Sequence, residues 1–332
     1  MGEETKGELP PASPADTVVG LVGLGDMGAA IATSVVRSFP LVVYDLRPEP
    51  VERLVALGAR RAESLKALAD ECDAVIVVVL NDAQVNMVVG QLLEHTGKIH
   101  TIIISSTVLP STTLALGEKA HKAGLDLIEA PVSGGADKAT RGILTLLVGG
   151  GDRPVRRCWP ILDAFGKDLY HIGPLGAGSA GKLVNNLVNL GGNMLILEAM
   201  ELAGLYGITE DKVTEFVTTG TGDSRNIRRW GFLDRARRGH TLAGTPALYE
   251  AFSKDVKAAA QAAGERGGVL PITASIGAMM GEKMQARDKY LEAAGLTGDI
   301  PRCCECGQEL SFPFRKAGVH PECALDASGH AS

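Results

Sequence analysis

Aromatic residues are scarce. Phe, Trp and Tyr together make up 4% of the 332 residues, too few for the stacking platforms on which bases are held. An excess of positive charge is missing as well. The formal net charge is −6, which argues against a dedicated nucleic-acid surface. No apolar run is long and clean enough for a membrane span, since the best stretch, 183–205, is interrupted by Asn185, Asn186, Asn189, Asn193, Glu198 and Glu201. The first fifteen residues, MGEETKGELPPASPA, lack the apolar centre of a signal peptide; they read as a disordered leader on a cytoplasmic protein. A disulfide framework is also absent. Cys72 and Cys158 stand alone, and the other four cysteines crowd into the last thirty residues.

What is present is the balance of an ordinary globular protein, with 45% hydrophobic and 22% charged residues. The length points to two domains. From Thr17 short Val/Ile/Leu runs alternate with longer amphipathic ones. TVVGLVG, LVVYD, AVIVVVL, TIIISS, DLIEA, LTLLVGG and DLYHIG read as strands with helical stretches between them. That order predicts an α/β, doubly wound domain whose mainly parallel sheet is covered on both faces. After Gly173 the strand signals stop. GPLGAGSAG reads as a glycine-rich hinge, and long helical patterns follow at about 180–206, 210–218, 246–266 and 271–291. The expected organisation is a leader over 1–15, the doubly wound domain over 16–175, an all-helical domain over 176–297 and a Cys-rich tail over 298–332.

The first strand runs into VVGLVGLGDMG, which places Gly23, Gly25 and Gly28 in G-x-G-x-x-G spacing at the opening of a helix. Glycines there allow a tight turn and bring backbone N–H groups close to a pyrophosphate at a helix N-terminus. The spacing alone is weak, and its place between strand and helix makes it a dinucleotide site. The second strand ends at Asp45. A carboxylate there accepts hydrogen bonds from ribose hydroxyls and repels a 2′-phosphate, which favours NAD over NADP. Arg47, two residues on, leaves both readings open: it can meet a phosphate, or it is a solvated loop arginine.

Lys182 heads a stretch, 183–197, without a single formal charge. Lys182, Asn186, Asn189 and Asn193 fall at i, i+4, i+7 and i+11, one stripe of one helix. Unpartnered polar groups are costly in a buried helix, so the stripe faces solvent or a site.

Four motifs line up in order: GLGDMG at 23–28, SSTVLPST at 105–112, EAPVSGG at 129–135 and GPLGAGSAGKLVNN at 173–186. In this the chain resembles the β-hydroxyacid dehydrogenase family, which includes 3-hydroxyisobutyrate dehydrogenase and tartronate semialdehyde reductase, over roughly residues 16–296. The resemblance implies a Rossmann domain followed by a helical domain for substrate and subunit contacts, and a homodimer or higher homo-oligomer. It implies hydride transfer between a nicotinamide, NAD or NADP, and a small β-hydroxy acid or its semialdehyde. Lys182 matches the catalytic lysine and Asn186 its neighbouring asparagine. Ser133, Gly134 and Gly135 match the turn that binds the substrate carboxylate, with Asn186 beside it. The implied cofactor set is Gly23, Leu24, Gly25, Asp26, Met27 and Gly28, with Asp45, Asn81, Thr107 and Lys254; Lys254 forms a Lys-Asp pair with Asp255.

The chemistry stands without the family. A hydride leaves the carbinol carbon while the hydroxyl proton goes to a base, and a lysine in a partly desolvated cleft can take it. Backbone N–H groups at a Ser-Gly-Gly turn suit a carboxylate. Asn189 and Asn193 extend past one small ligand and read as helix–helix contacts. Two departures from the family pattern stand out. Asp137, Lys138 and Arg141 follow the Ser-Gly-Gly turn, with Ile143 in place of the usual threonine, and the strand before Asn81 ends without the usual proline. The run RNIRRWGFLDRARRGH reads as a solvated helix or subunit-contact segment rather than a phosphate patch.

The tail holds Cys303-x-x-Cys306 and His320-x-x-Cys323. Three thiolates and an imidazole can close a tetrahedral structural zinc site, with Cys304 an alternative to Cys303; the bland reading is a tail with free thiols. Two other functions compete with the dehydrogenase. One is an imine reductase of similar architecture, against which Lys182 in its full motif argues. The other is a dinucleotide-binding scaffold without catalysis, against which Lys182 and Asn186 together argue.

Overall fold

The computed structural model describes residues 11–13, 16–95, 97–231, 234 and 248–293. Two compact units divide between Val184 and Asn185. The strands are β1 (Val19–Val22), β2 (Leu41–Tyr44), β3 (Arg60–Arg61), β4 (Ala74–Val77), β5 (Thr101–Ile104), β6 (Asp126–Glu129), β7 (Val132–Ser133), β8 (Leu144–Gly149) and β9 (Gly166–Gly173). The helices of the first unit are α1 (Asp26–Val35), α2 (Pro48–Val55), α3 (Leu65–Glu71), α4 (Asp82–Glu94), α5 (Pro110–Lys122), α6 (Gly135–Thr140) and α7 (Asp152–Asp163). Helix α8 (Ala177–Leu205) contains the division, and α9 (Glu210–Val217), α10 (Arg225–Arg228), α11 (Leu248–Gly264) and α12 (Pro271–Ala293) belong to the second unit.

Among the described residues one sheet runs in the order β3-β2-β1-β4-β5-β6-β8-β7, with β9 on β8. From β3 to β6 every pairing is parallel. Leu21, Val43, Ile76, Ile103 and Ile128 point into one apolar layer. Their neighbours Val22, Val42, Val75, Val77, Ile102 and Ile104 point into the other. Alternation with a period of two sends successive side chains to opposite faces, and both faces carry helices, so the strands are apolar throughout. Ile102, Ile103 and Ile104 are fully buried, and each such side chain is worth about 1.5–3 kcal/mol of burial.

Three features depart from the sequence reading. Strands β3 and β7 have two residues each, too short to leave an apolar run. Strand β8 is antiparallel to both β6 and β7, a reversal that an apolar string does not encode. The expected hinge is mostly helix: α8 begins at Ala177, so Gly178, Ser179, Ala180 and Gly181 are helical. A glycine there serves close approach, since a Cβ on Gly178 would stand 2.5 Å from the Leu147 carbonyl oxygen.

In the second unit Leu197, Met200, Val213, Ile227 and Trp230 form one apolar cluster, and Leu190, Val256, Met280 and Met284 another. Arg287 is buried. It pairs with Glu210 and Asp234, and its guanidinium lies 5.1 and 5.2 Å from the Trp230 and Tyr290 ring centres. The Trp230 indole N–H donates to Glu210 at 2.6 Å. A buried guanidinium flanked by two carboxylates fixes α9 and α12 to one another, at the cost of desolvating three charges.

Candidate active site

The first unit carries the nucleotide loop at the carboxyl end of β1, where the chain order reverses between β2 and β4. Crevices at such switch points are where open α/β sheets hold ligands. The three glycines do different work. Gly23 has φ +93°, and a Cβ on it would collide with the Val78 carbonyl oxygen. A Cβ on Gly28 would collide with the carbonyl oxygen of Gly23. Gly25 is the N-cap of α1, and nothing lies within 4 Å of where its Cβ would be. Gly23 and Gly28 are required by the turn itself, whereas Gly25 opens on free space at a helix N-terminus, which fits a pyrophosphate. Leu24 is buried, Met27 packs on the core, and Asp26 sits exposed in the first helical turn.

Asp45 lies at the end of β2 beside this loop. Its Oδ2 accepts a hydrogen bond from the Leu24 backbone N–H at 2.6 Å, and its Oδ1 accepts from the Arg47 backbone N–H at 2.9 Å and from Arg47 Nε at 3.0 Å. Burial pushes the carboxyl up, but the bonds from Arg47 and Leu24 outweigh it and leave the group below its ordinary range. Arg47 is therefore held by Asp45 and is not a free loop cation. Asn81 caps α4 by accepting from the Gln84 backbone N–H at 2.9 Å. Thr107 lies in the loop after β5. Asp82 pins that loop: its Oδ1 accepts from the Leu109 N–H at 2.9 Å and from the Thr112 hydroxyl at 2.7 Å. Ser106 adds a bond to the Val79 N–H at 2.8 Å.

Ser133 ends the short strand β7, and Gly134 and Gly135 follow with φ of +144° and +83°. Side chains other than glycine rarely adopt such values. Asp137, Lys138 and Arg141 lie on and just after α6, with Asp137 and Arg141 3.7 Å apart. Lys182 is half-buried in the first turns of α8. The same unit holds one residue to which motif reading gave no role. Glu129, at the end of β6, is fully buried, and it accepts from the Gly178 N–H and from the Ser179 hydroxyl, both at 2.6 Å. Its signal in the sequence was an acidic residue closing a strand expected to be buried, which demands partners.

The second unit holds the rest of the expected set. Asn186 is buried; its Nδ2 donates to Asp255 Oδ2 at 2.7 Å, and its Oδ1 accepts from Asn185 at 3.2 Å. Lys254 Nζ lies 3.6 Å from Asp255. At the far end of the polar stripe α10 reaches the α8 backbone, while Asn193 bonds within α8. Asn226 donates to the Asn189 carbonyl at 2.9 Å, and Asn193 donates to the same oxygen at 2.7 Å. Ser224 caps α10, and Asp223 pairs with Arg228 at 2.6 Å. Cys303, Cys306, His320 and Cys323 lie outside the described residues. Among the described ones no group of three His, Cys, Asp or Glu could hold a metal ion.

Residues 18–173 match the family described as the NAD binding domain of 6-phosphogluconate dehydrogenase. Residues 176–295 match that described as NAD-binding of NADP-dependent 3-hydroxyisobutyrate dehydrogenase. The 2-(hydroxymethyl)glutarate dehydrogenase of Eubacterium barkeri is 33% identical over 77% of this chain and 85% of its own length. The structure of 3-hydroxyisobutyrate dehydrogenase from Mycobacterium tuberculosis with L-serine is similar at a TM-score of 0.71, with 25% identity, covering 80% of this chain and 93% of that one. An imine reductase from Streptomyces aurantiacus is similar at a TM-score of 0.56 and 16% identity, over 81% of this chain and 95% of that one. That likeness is of fold alone. Two matched regions in order, and a relative of one-third identity spanned over most of its length, make this chain a member of the β-hydroxyacid dehydrogenase family.

Proposed function

We propose that this protein transfers hydride between NAD and a small β-hydroxy acid, with Lys182 as the general acid and base. A bound nicotinamide supplies the hydride acceptor for oxidation and the donor for reduction. The reading rests above all on Lys182: a half-buried lysine in the first turns of a helix fastened to the same sheet that presents an open glycine loop. In oxidation Lys182 Nζ takes the substrate hydroxyl proton, and in reduction it returns it. Ser133, Gly134 and Gly135 hold the substrate carboxylate through backbone N–H groups. Asn186, held by Asp255, is the asparagine that the family motif assigns to the substrate beside the lysine. Gly23 to Gly28, Asn81 and Thr107 line the cofactor path of the first unit, and the family motif assigns Lys254 of the second unit to the cofactor as well. Asp45 accepts from the ribose hydroxyls and, with Arg47 already bound to it, opposes a 2′-phosphate; this is the ground for NAD over NADP.

Val188, Leu195 and Leu202 of α8 recur at seven-residue spacing and are 71%, 70% and 58% exposed. Such a stripe supports a homodimer or higher homo-oligomer in which a second copy covers it. No helix among the described residues is long and apolar enough to cross a membrane, and the cytoplasmic assignment rests on the sequence. A structural zinc on Cys303, Cys306, His320 and Cys323 rests on their spacing and on the suitability of three thiolates and an imidazole.

The test is turnover of candidate acids with NAD, followed by absorbance of the reduced cofactor. Relatives are named for 2-(hydroxymethyl)glutarate and 3-hydroxyisobutyrate, and one was crystallised with L-serine, so these three come first. Turnover of at least one of these or a close β-hydroxy acid, faster with NAD than with NADP, is expected. Reduction of cyclic imines in place of any hydroxy acid would move the protein to the imine reductases.

A further inference from the structure

Glu129 is the most deeply buried carboxylate among the described residues, at 0% exposure, and motif reading gives it no role. Its backbone lies between two strands, opposite Ile104 of β5 on one side and Gly149 of β8 on the other. Its side chain reaches forty-nine residues ahead, to the first turn of α8. There Oε1 accepts from the Gly178 N–H and Oε2 from the Ser179 hydroxyl, both at 2.6 Å. The Ser179 hydroxyl also stands 3.0 Å from the Thr113 hydroxyl of α5. Thr113 and Ser179 are themselves buried.

The first N–H groups of a helix have no partners within it, and the helix dipole is positive at that end. Most helices meet this with a side chain just outside the first turn. Here the cap comes from the sheet. Glycine makes the approach possible on both sides: a Cβ on Gly149 would collide with Glu129 Oε1, and one on Gly178 would stand 2.9 Å from Glu129 Cγ. Lys182 is one helical turn beyond Gly178 and shares its face. Four residues beyond Glu129 in the other direction lies Ser133, where the Ser-Gly-Gly turn begins.

We propose that Glu129 is the positioning residue for Lys182. By holding two consecutive residues of α8 through both carboxylate oxygens, it fixes the height and the rotation of the helix on the sheet. It thereby fixes where the lysine Nζ stands relative to the Ser133 turn, which begins four residues after Glu129. The proposal rests on Lys182 being the proton-transfer group. A misplacement of about 1 Å at a reacting group costs on the order of 10²-fold, so a cap that sets this height is part of the rate.

The test uses the full chain with four variants: Glu129→Gln, Ser179→Ala, Lys182→Ala and the double Glu129→Gln/Lys182→Ala. Each is assayed with NAD and whichever of 2-(hydroxymethyl)glutarate, 3-hydroxyisobutyrate and L-serine the wild type oxidises fastest. Glu129→Gln is expected to lower kcat roughly 10- to 100-fold, with the Kd for NAD within about twofold of wild type. Ser179→Ala, which keeps the Gly178 bond, loses less. The double variant is expected to be no slower than Lys182→Ala, because two residues acting through one group are not additive. A folded Glu129→Gln with wild-type kcat, or losses that multiply in the double variant, would overturn the proposal. Full activity of Lys182→Ala would instead remove the lysine assignment on which it rests. Amide hydrogen exchange of residues 178–182 gives a readout without substrate. It should quicken at least about tenfold in Glu129→Gln and Ser179→Ala while β1, β4 and β5 stay protected, and unchanged exchange in both variants contradicts the proposal. If Glu129→Gln does not fold, the exchange and kcat of Ser179→Ala decide.

Discussion

Asp45 performs two tasks with one carboxylate. It ties the nucleotide loop to β2 through Leu24, and it holds Arg47. Because its folded-state pKa is lowered, its stabilisation is fully present above its ordinary value, about 3.9, and is lost as pH falls through the lower folded value. Asp45→Asn should therefore lower Tm at neutral pH, and the difference from wild type should shrink below about pH 4; a difference that persists unchanged at pH 3 would contradict this. The same variant frees Arg47 and lifts a repulsion, so kcat/KM should shift toward NADP. If the wild type already prefers NADP, Arg47 rather than Asp45 governs the choice. From the sequence Arg47 was open between phosphate ligand and loop cation. The side-chain geometry adds a 3.0 Å ion pair with Asp45, which no sequence pattern shows.

At the scale of elements, the long apolar strands and the helices of the second unit were legible because a fully buried strand and an amphipathic helix leave different periods in the sequence. The two-residue strands β3 and β7 leave no period, and the antiparallel direction of β8 depends on partners distant in the chain. The glycines of 173–181 illustrate the deeper limit. Glycine reports freedom in one place and close approach in another, and composition does not distinguish them. Gly178 is of the second kind, and Glu129, its partner, was invisible as a cap because it lies forty-nine residues away. The nucleotide loop yields a test of the same distinction. Gly25→Ala meets no atom within 4 Å, so the variant should fold with Tm near wild type yet bind NAD at least about tenfold more weakly, the new methyl standing where the pyrophosphate approaches. Gly28→Ala drives its methyl into the Gly23 carbonyl and should fold poorly or not at all. Wild-type NAD affinity in Gly25→Ala, or wild-type stability in Gly28→Ala, would reverse these assignments.

For the whole molecule, the cysteines report on fold and tail together. Cys72 and Cys158 are free and buried. Burial pushes their thiols up to about 12 and about 11, so neither supplies thiolate at neutral pH. The remaining four of the six cysteines lie in the tail. With zinc held by three of them and His320, the native protein should show one fast-reacting thiol, four after a chelator, and six in denaturant. Four fast thiols before chelation would remove the zinc, and labelling of Cys72 or Cys158 in the native protein would contradict the packing of the sheet and its helices.

Proton handling by Lys182 is the point on which the catalytic reading turns, and Lys182→Ala tests it with two measurements on one sample. In the proposed mechanism the lysine moves the substrate proton and takes no part in holding the pyrophosphate. The variant should therefore keep the Kd for NAD within about twofold of wild type while kcat falls on the order of 10²–10⁴-fold, the usual cost of losing a placed acid–base group. A correctly folded Lys182→Ala protein that oxidises the acid at near wild-type kcat would contradict the account.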